Sequence, residues 1–224
     1  MENTKHREDT KHAEPATHAG DEALRAGAAE AVGHEDLGDI AQAIICSRQN
    51  ISPKRLHEPG PTARQIELML SAAAAAPDHS LLRPWRFVIV PPDKRSLLAT
   101  VFGLALLDRD PGASAAQVAA AQEKAHRAPF LMLAIARLGD SAEVALAERM
   151  VSLGCALQNI LLSAHAMGLG AGLTSGQAMR SARMRELFAL ADDEQAVCCA
   201  NVGTAGKRKP HQARPGPWEF TSTL

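Results

Sequence analysis

Apolar positions along this chain change their period several times, and each change predicts an element. Leu37, Ile40, Ala41, Ile44 and Ile45 recur at helical spacing behind Asp36, which predicts a first helix with one buried face. Thr62 and Gln65 have capping-box spacing. Ile66, Met69, Leu70 and Ala73 continue them as a second helix, which stops before Pro77. Residues 87–90 are an unbroken apolar run of strand length. Pro91-Pro92 breaks the chain, and Asp93 is placed to cap a third helix reaching about Leu106. Ser114 and Gln117 form a second capping-box pair, ahead of an Ala-rich helix to about His126. Residues 130–136 and 196–202 read as buried strands. Between them lie the longest helical pattern (141–167), a stop at Gly168, a glycine-rich bend over 170–176 and a shorter helix over about 182–190.

The two ends read differently. Residues 1–35 offer only Met1, Leu24 and Val32 as large aliphatics, too few to offset the entropy of ordering, so a disordered tail is predicted. Residues 36–224 then form one domain, whose last stretch, 206–224, is basic, proline-rich and extended. No Asp, Glu, Lys or Arg occurs between Met150 and Met179, so a membrane span has to be considered. Gln158 and Asn159 at mid-segment, with Ser152, Ser163 and His165, argue against lipid. The simpler reading is a helix buried between a sheet and a second surface.

Charge and cysteine content narrow the chemistry a little. The net charge of −1 gives no case for nucleic acid. Residues 1–36 carry −5, leaving a body of +4 that suits an anionic cofactor. Cys46, Cys155, Cys198 and Cys199 lack metal spacing and read as small buried hydrophobes in a reducing compartment. The polar N-terminus carries no apolar signal core, so a cytoplasmic location is expected.

Most familiar catalytic motifs fail on inspection. Gly168-Leu-Gly170-Ala-Gly172 follows a helix where a dinucleotide fingerprint follows a strand, and its third glycine would fall at Leu173. There is no phosphate-binding Walker loop, and 172–176 lacks nucleophile-elbow spacing. Asp78, His79 and Ser80 are sequence neighbours, whereas triad members meet through the fold. No His or carboxylate pair has metal spacing, so no metal is expected. Chemistry therefore falls to a bound cofactor. Four features remain: the basic segment 48–55, the polar loop 78–83 between a helix end and a strand, the glycine bend, and Lys207-Arg208-Lys209.

Together these features resemble the FMN-dependent nitroreductase family, most nearly its short bacterial members, the minimal nitroreductase-like proteins. Arg48-Gln49-Asn50 stands where those proteins carry an Arg-Arg-Ser-like run. Ala76-Pro77-Asp78-His79, then Pro84-Trp85-Arg86-Phe87, match their next motif. Gly168-Leu169-Gly170 with Ser175-Gly176, and Gly203-Thr204 after the last strand, match the rest. The likeness spans residues 37–224. It implies an α+β fold, a central mainly antiparallel sheet flanked by helices, in a homodimer that exchanges its C-terminal tails, with Trp218 and Phe220 crossing to the partner.

The resemblance also implies FMN at the dimer interface. Arg48 and a basic residue near the C-terminus would hold its phosphate, Arg208 being favoured over Lys207 and Lys209 by its spacing from Gly203. Gln49 and Asn50 complete the helix-end motif, His79 lies near the flavin, and Leu173, Thr174 and Ser175 lie against the ring system. Ser163, His165 and Gly168 fall in a region assigned to nicotinamide nucleotide in relatives. The implied reaction is ping-pong hydride transfer from NADH or NADPH to a small electron-poor acceptor, a nitroaromatic or a quinone. No side chain need act as acid or base, so no catalytic residue is named. Gln49 occupies a position where Arg is commoner, and Ala75 one where relatives can carry Arg. A flavin-binding sensor or carrier without turnover, or another flavin reaction on the same fold, therefore stays open.

Overall fold

The computed structural model describes residues 33–139, 144–206, 210 and 213–224. The tail expected at 1–35 lies almost wholly outside these, as do Lys207, Arg208 and Lys209. The chain divides into two units, Met1–Ala43 and Ile44–Leu224. Of the first, only the opening turns of helix α1 (His34–Ser47) are described. That helix keeps the predicted period but not the predicted burial, since Ile40 is 49% and Ile45 47% exposed. Amphipathic spacing records a preference for burial, and the burying surface has to come from elsewhere.

In the second unit, β5 (Glu194–Ala205) is the central strand of an antiparallel sheet. One edge pairs with β3 (Phe130–Arg137), which pairs onward with β2 (Trp85–Ile89). The other edge pairs with β4 (Gly170–Thr174), and the last residues of β5 meet β1 (Leu56–His57). β3 and β5 are covered on both faces, which is why they read as unbroken apolar runs. Met132, Ala134 and Ala136, with Cys198, Ala200 and Val202, face α2 (Ala63–Ala74) and α5 (Leu146–Ala166). Leu131, Leu133 and Ile135, with Cys199, face α3 (Arg95–Arg109) and α6 (Ala182–Leu187). Helix α4 (Ala115–Glu123) lies ahead of β3 in the chain. A bulge between the pairs Ala134↔Cys198 and Ile135↔Ala196 puts Val197 out of register, and Ala196 joins the second layer.

Both capping boxes form, Thr62 with Gln65 and Ser114 with Gln117. Trp85 is buried in the core at the start of β2. Gly168 ends α5 at φ 80°, with Leu169 N–H bonded to Ala164 O and Gly168 N–H to His165 O, a Schellman stop. Four expectations need correction. Asp93 caps nothing: Pro92–Lys94 is a single 3₁₀ turn, and α3 starts at Arg95. α5 starts at Leu146, and α6 ends at Leu187. The glycine bend is largely a strand. Gly172 is there because a Cβ would collide with the Ile51 carbonyl oxygen, and Gly170 because Leu56 and Ala205 close over it. Of the cysteines, Cys198 and Cys199 are buried, Cys155 is partly buried and Cys46 is exposed.

α5 is not buried all round. Leu153, Ala156, Leu157, Ile160, Leu161 and Ala164 form one buried stripe, while Leu146, Met150 and Val151 are exposed on its first two turns. Asn159 donates to Ala72 O at 2.9 Å, which accounts for one amide in mid-helix. Among the described residues, no helix is long and apolar enough to cross a membrane.

A charged knot closes the far end of β5. Arg86 grips the buried Glu194 carboxylate with Nε and Nη2, both at 2.7 Å. Ala191 N–H and Arg137 also donate to it. The Arg86 hydrogen bonds, above all, hold the Glu194 carboxyl down at about 2. The folded value lies below the unfolded one, so the stabilisation is complete above the unfolded pKa, about 4.3. It is lost as pH falls through that value towards about 2. Glu194→Gln should cost up to about 3 kcal/mol at pH 7. In urea unfolding, the gap to wild type should narrow at pH 3. An equal gap at both pH values would contradict the assignment.

Candidate functional site

α1 delivers Arg48, Gln49 and Asn50 to the outer edge of β4. Arg48 N–H closes the last helical turn on Ile44 O at 3.3 Å. Asn50 then bridges Ala171 in parallel, Ile51 N–H bonds Ala171 O at 2.9 Å, and Asn50 Oδ1 accepts from Leu173 N–H at 3.2 Å. The segment thus runs beside the strand as a short edge partner. Its approach is close enough that any side chain at position 172 would push it away.

The Arg48 side chain is half-buried, and its Nε is buried without a hydrogen-bond partner. Arg214 comes in from the C-terminal segment and donates from Nη2 to Arg48 O at 3.4 Å. Burial, and then the charge of Arg214, push the Arg48 guanidinium below its ordinary value. Two guanidiniums at one strand edge, one with a buried N–H unused, form a site that favours a bound anion. Sequence reasoning placed the second cation at Arg208, which lies outside the described residues, and missed Arg214. The available signal was an arginine just ahead of Pro215-Gly216-Pro217, five residues past the Lys207-Arg208-Lys209 cluster.

Beside this pair, His165 Nε2 meets Ser47 Oγ at 2.7 Å. His165 lines a small cavity with Arg48, Gln49 and Ala171. That cavity holds only ≈ 10 Å³, room for about one water and not for a mononucleotide. Any larger ligand at Arg48 must therefore lie along the open strand edge. Gly168 is the helix stop, and Ser163 lies one turn before it in α5, its carbonyl bonded to Met167 N–H.

Leu173, Thr174 and Ser175 follow along β4. Leu173 packs into the α5 core layer. Thr174 Oγ1 accepts from Asn201 Nδ2 at 2.9 Å, and Ser175 Oγ donates to Val197 O at 2.8 Å. Their side chains are thus spent on the sheet, and what they present to a ligand is mainly backbone. Asn201 is 1% exposed and also reaches Gly172 O and Cys199 O. It pins the site strand to the sheet. Sequence reasoning passed over it, although a lone Asn in the apolar run 196–202 was the sign.

His79 stands elsewhere. Its Nδ1 pairs with Glu148 Oε2 at 3.0 Å, in the first turn of α5. Glu148 and His165 are about 25 Å apart along the helix axis at 1.5 Å per residue. One chain therefore brings Arg48, Gln49, Asn50, Ser163, His165 and Gly168 towards one end of α5 and puts His79 at the other, while the 173–175 segment runs back from Asn50 at Leu173 to Met150, in the first turns of α5, at Ser175. The His79 loop is strained: Ser80, Leu81 and Arg83 all have φ between 45° and 55°. Asp78 holds it by accepting from Arg83 N–H at 2.6 Å through Oδ2, while Asp78 Oδ1 is buried without a partner. Leu81 and Leu82 are exposed beside it.

Among known proteins, the family model described as Nitroreductase family matches residues 51–204. The match begins just after Arg48-Gln49-Asn50 and ends before Arg214. A Haemophilus influenzae protein provisionally named an NAD(P)H nitroreductase is 30% identical over 164 residues, covering 73% of this chain and 88% of its own. Among solved structures, a nitroreductase-like family protein from Bacillus cereus superposes with a TM-score of 0.71 at 17% identity, over 81% of this chain and 94% of its own. An FMN-dependent nitroreductase from Clostridium difficile R20291 does so with a TM-score of 0.58 at 17% identity, over 81% and 97%. At such identities the two structures establish the shared fold.

Proposed function

This chain belongs to the nitroreductase family, and from that membership we propose that it is a cytoplasmic FMN-dependent NAD(P)H oxidoreductase acting on a small electron-poor acceptor, of nitroaromatic or quinone type. The observation that carries the cofactor reading is the Arg48–Arg214 pair, with its buried, unused Nε. A phosphate monoester is the ligand class that both guanidiniums would bind with charge-assisted hydrogen bonds. Arg208 remains a candidate third cation. Bound FMN would supply the chemistry, accepting a hydride from NADH or NADPH and passing it to the acceptor in a ping-pong cycle. The chain's own residues bind and position. Arg48 and Arg214 hold the phosphate, Gln49 and Asn50 fix the edge segment, and the backbone of 173–175 supports the ring. No side chain of the site is assigned as an acid or base.

The second half of the proposal is a homodimer with a site in each interface. A two-fold axis across α5 sets the helix antiparallel to its copy, which brings the His79 end of one chain to the Arg48 end of the other. Exposed Leu81, Leu82, Leu146, Met150 and Val151 give that face the apolar surface a dimer needs. Trp218 and Phe220, 83% and 72% exposed, would cross to the partner with the 206–224 tail. Sedimentation should give a dimer, and a monomer carrying full FMN would sink this half of the reading.

Gly172→Ala tests the strand edge. Its Cβ would meet Ile51 O and Asn50 Oδ1, so the Arg48 segment has to move. FMN binding should weaken about tenfold, a cost typical of a binding group displaced by about 1 Å. The far-ultraviolet circular dichroism should keep its wild-type shape. Unchanged FMN affinity would show that the edge segment takes no part.

A further inference from the structure

A second cleft, on the sheet face opposite α5, carries an apolar floor and three cations that the flavin reading does not use. It holds ≈ 590 Å³ between α3, α4 and the end of β4, inside the range of small-molecule sites, roughly 300–1,000 Å³. Its floor is apolar, built from Phe102, Leu106, Ala121 and Leu131, with Cys199 beneath. Burial pushes the Cys199 thiol up to about 12, so it stays neutral and serves as floor.

Three cations line this cleft: Arg109 at the end of α3, and Lys124 and Arg127 just past α4. No Asp or Glu lines it among the described residues. Of the carboxylates nearest in sequence, Asp110 Oδ1 accepts from Gly112 N–H at 3.2 Å, and two others are held by arginines. Asp108 is held by Arg183 at 2.6 and 2.9 Å, and Glu123 reaches Arg127 Nη2 at 3.3 Å. Arg127 Nε remains buried without a partner. Arg109 and Lys124 have no carboxylate partner among the described residues. Like charges gathered over an apolar floor favour an anion with an apolar body. Gln117, Gln177 and Ser175 add polar groups to the wall.

We propose that this cleft binds a small amphipathic anion of the aromatic carboxylate class, its ring on the Phe102–Leu106–Leu131 floor and its carboxylate among Arg109, Lys124 and Arg127. Thr174 and Ser175 line one wall of this cleft and also belong to the flavin reading, whereas Arg109, Lys124, Arg127 and the apolar floor belong to the cleft alone.

The test is a titration of purified full-length protein with 1-naphthoate, read by its own fluorescence, with uncharged 1-naphthamide beside it. Naphthoate should saturate at one per chain, and the amide should bind more weakly by about tenfold or more. The double variant R109Q/K124Q should weaken naphthoate by a similar factor. Both residues are exposed, so its melting temperature should match wild type, and its FMN affinity should be unchanged. Arg48→Ala should leave naphthoate binding as it is. Equal affinity for acid and amide, equal binding by the double variant, loss in Arg48→Ala, or no saturable binding at all would each overturn the proposal.

Discussion

Arg95→Ala should lower the stability of the folded protein by about 4 kcal/mol, the size expected when a buried, hydrogen-bonded charge is removed. Arg95 is 4% exposed and has no carboxylate partner among the described residues. It spends its fork on main-chain carbonyls: Nε on Val90 O at 2.7 Å, Nη1 on Ala125 O at 2.8 Å and Ala128 O at 3.3 Å, and Nη2 on Pro129 O at 3.2 Å. These four acceptors come from the end of β2 and from the turn that feeds β3, so one side chain ties two loops to the start of α3. Burial pushes the guanidinium below its ordinary value, which is the cost of keeping it there. Deletion leaves four buried oxygens to find water or go unpaired. The melting temperature should fall by about 10 °C, since 1 kcal/mol shifts a domain of this size by about 2–4 °C. Arg95→Lys should recover little, because an ammonium lacks the planar fork. A loss below about 1 kcal/mol would mean that the carbonyls are satisfied some other way.

Arg48→Ala is expected to act in the opposite sense on stability and strongly on binding. FMN affinity should fall about 10- to 100-fold, the worth of one charge-assisted pair of hydrogen bonds. Arg214→Ala should cost about tenfold. The protein without FMN should gain slightly in melting temperature with Arg48→Ala, because a half-buried charge beside a like charge is removed. A residue with a merely structural role would lose stability and binding together. Arg48→Lys should fall between wild type and Ala, and the whole effect should shrink as salt rises. Unchanged affinity in Arg48→Ala would refute the phosphate role.

Much of the fold could be read from the chain because its signals are local. The Thr62–Gln65 and Ser114–Gln117 boxes, the Gly168 stop and the runs behind β2, β3 and β5 each depend on neighbours in sequence. What was misread depends on neighbours in space. β4 looked like a bend because its glycines disfavour a strand, yet they are required by Ile51, Leu56 and Ala205, all far away in sequence. β1 is two residues long and has no periodicity to detect. α1 shows an apolar stripe, but sequence cannot say what covers it.

The candidate site divides in the same way. Arg48, Asn50 and 173–175 came from the resemblance, and the structure sets Asn50 beside Ala171 and Leu173 at one strand edge. His79 came from the same resemblance, but it lies a helix length away from Arg48. Linear order holds no information about how far apart two motifs stand in the fold. Arg214 was missed because its role comes from a fold-back of the C-terminal segment onto Arg48.

The most direct test is an anaerobic absorbance titration of the purified protein, first with FMN and then with NADH or NADPH. One FMN should be retained per chain, with its visible band bleached by one equivalent of nicotinamide donor and restored by a quinone or nitroaromatic. Protein that retains no FMN would contradict the cofactor reading, and retained FMN that neither donor bleaches would leave a flavin-binding protein without turnover.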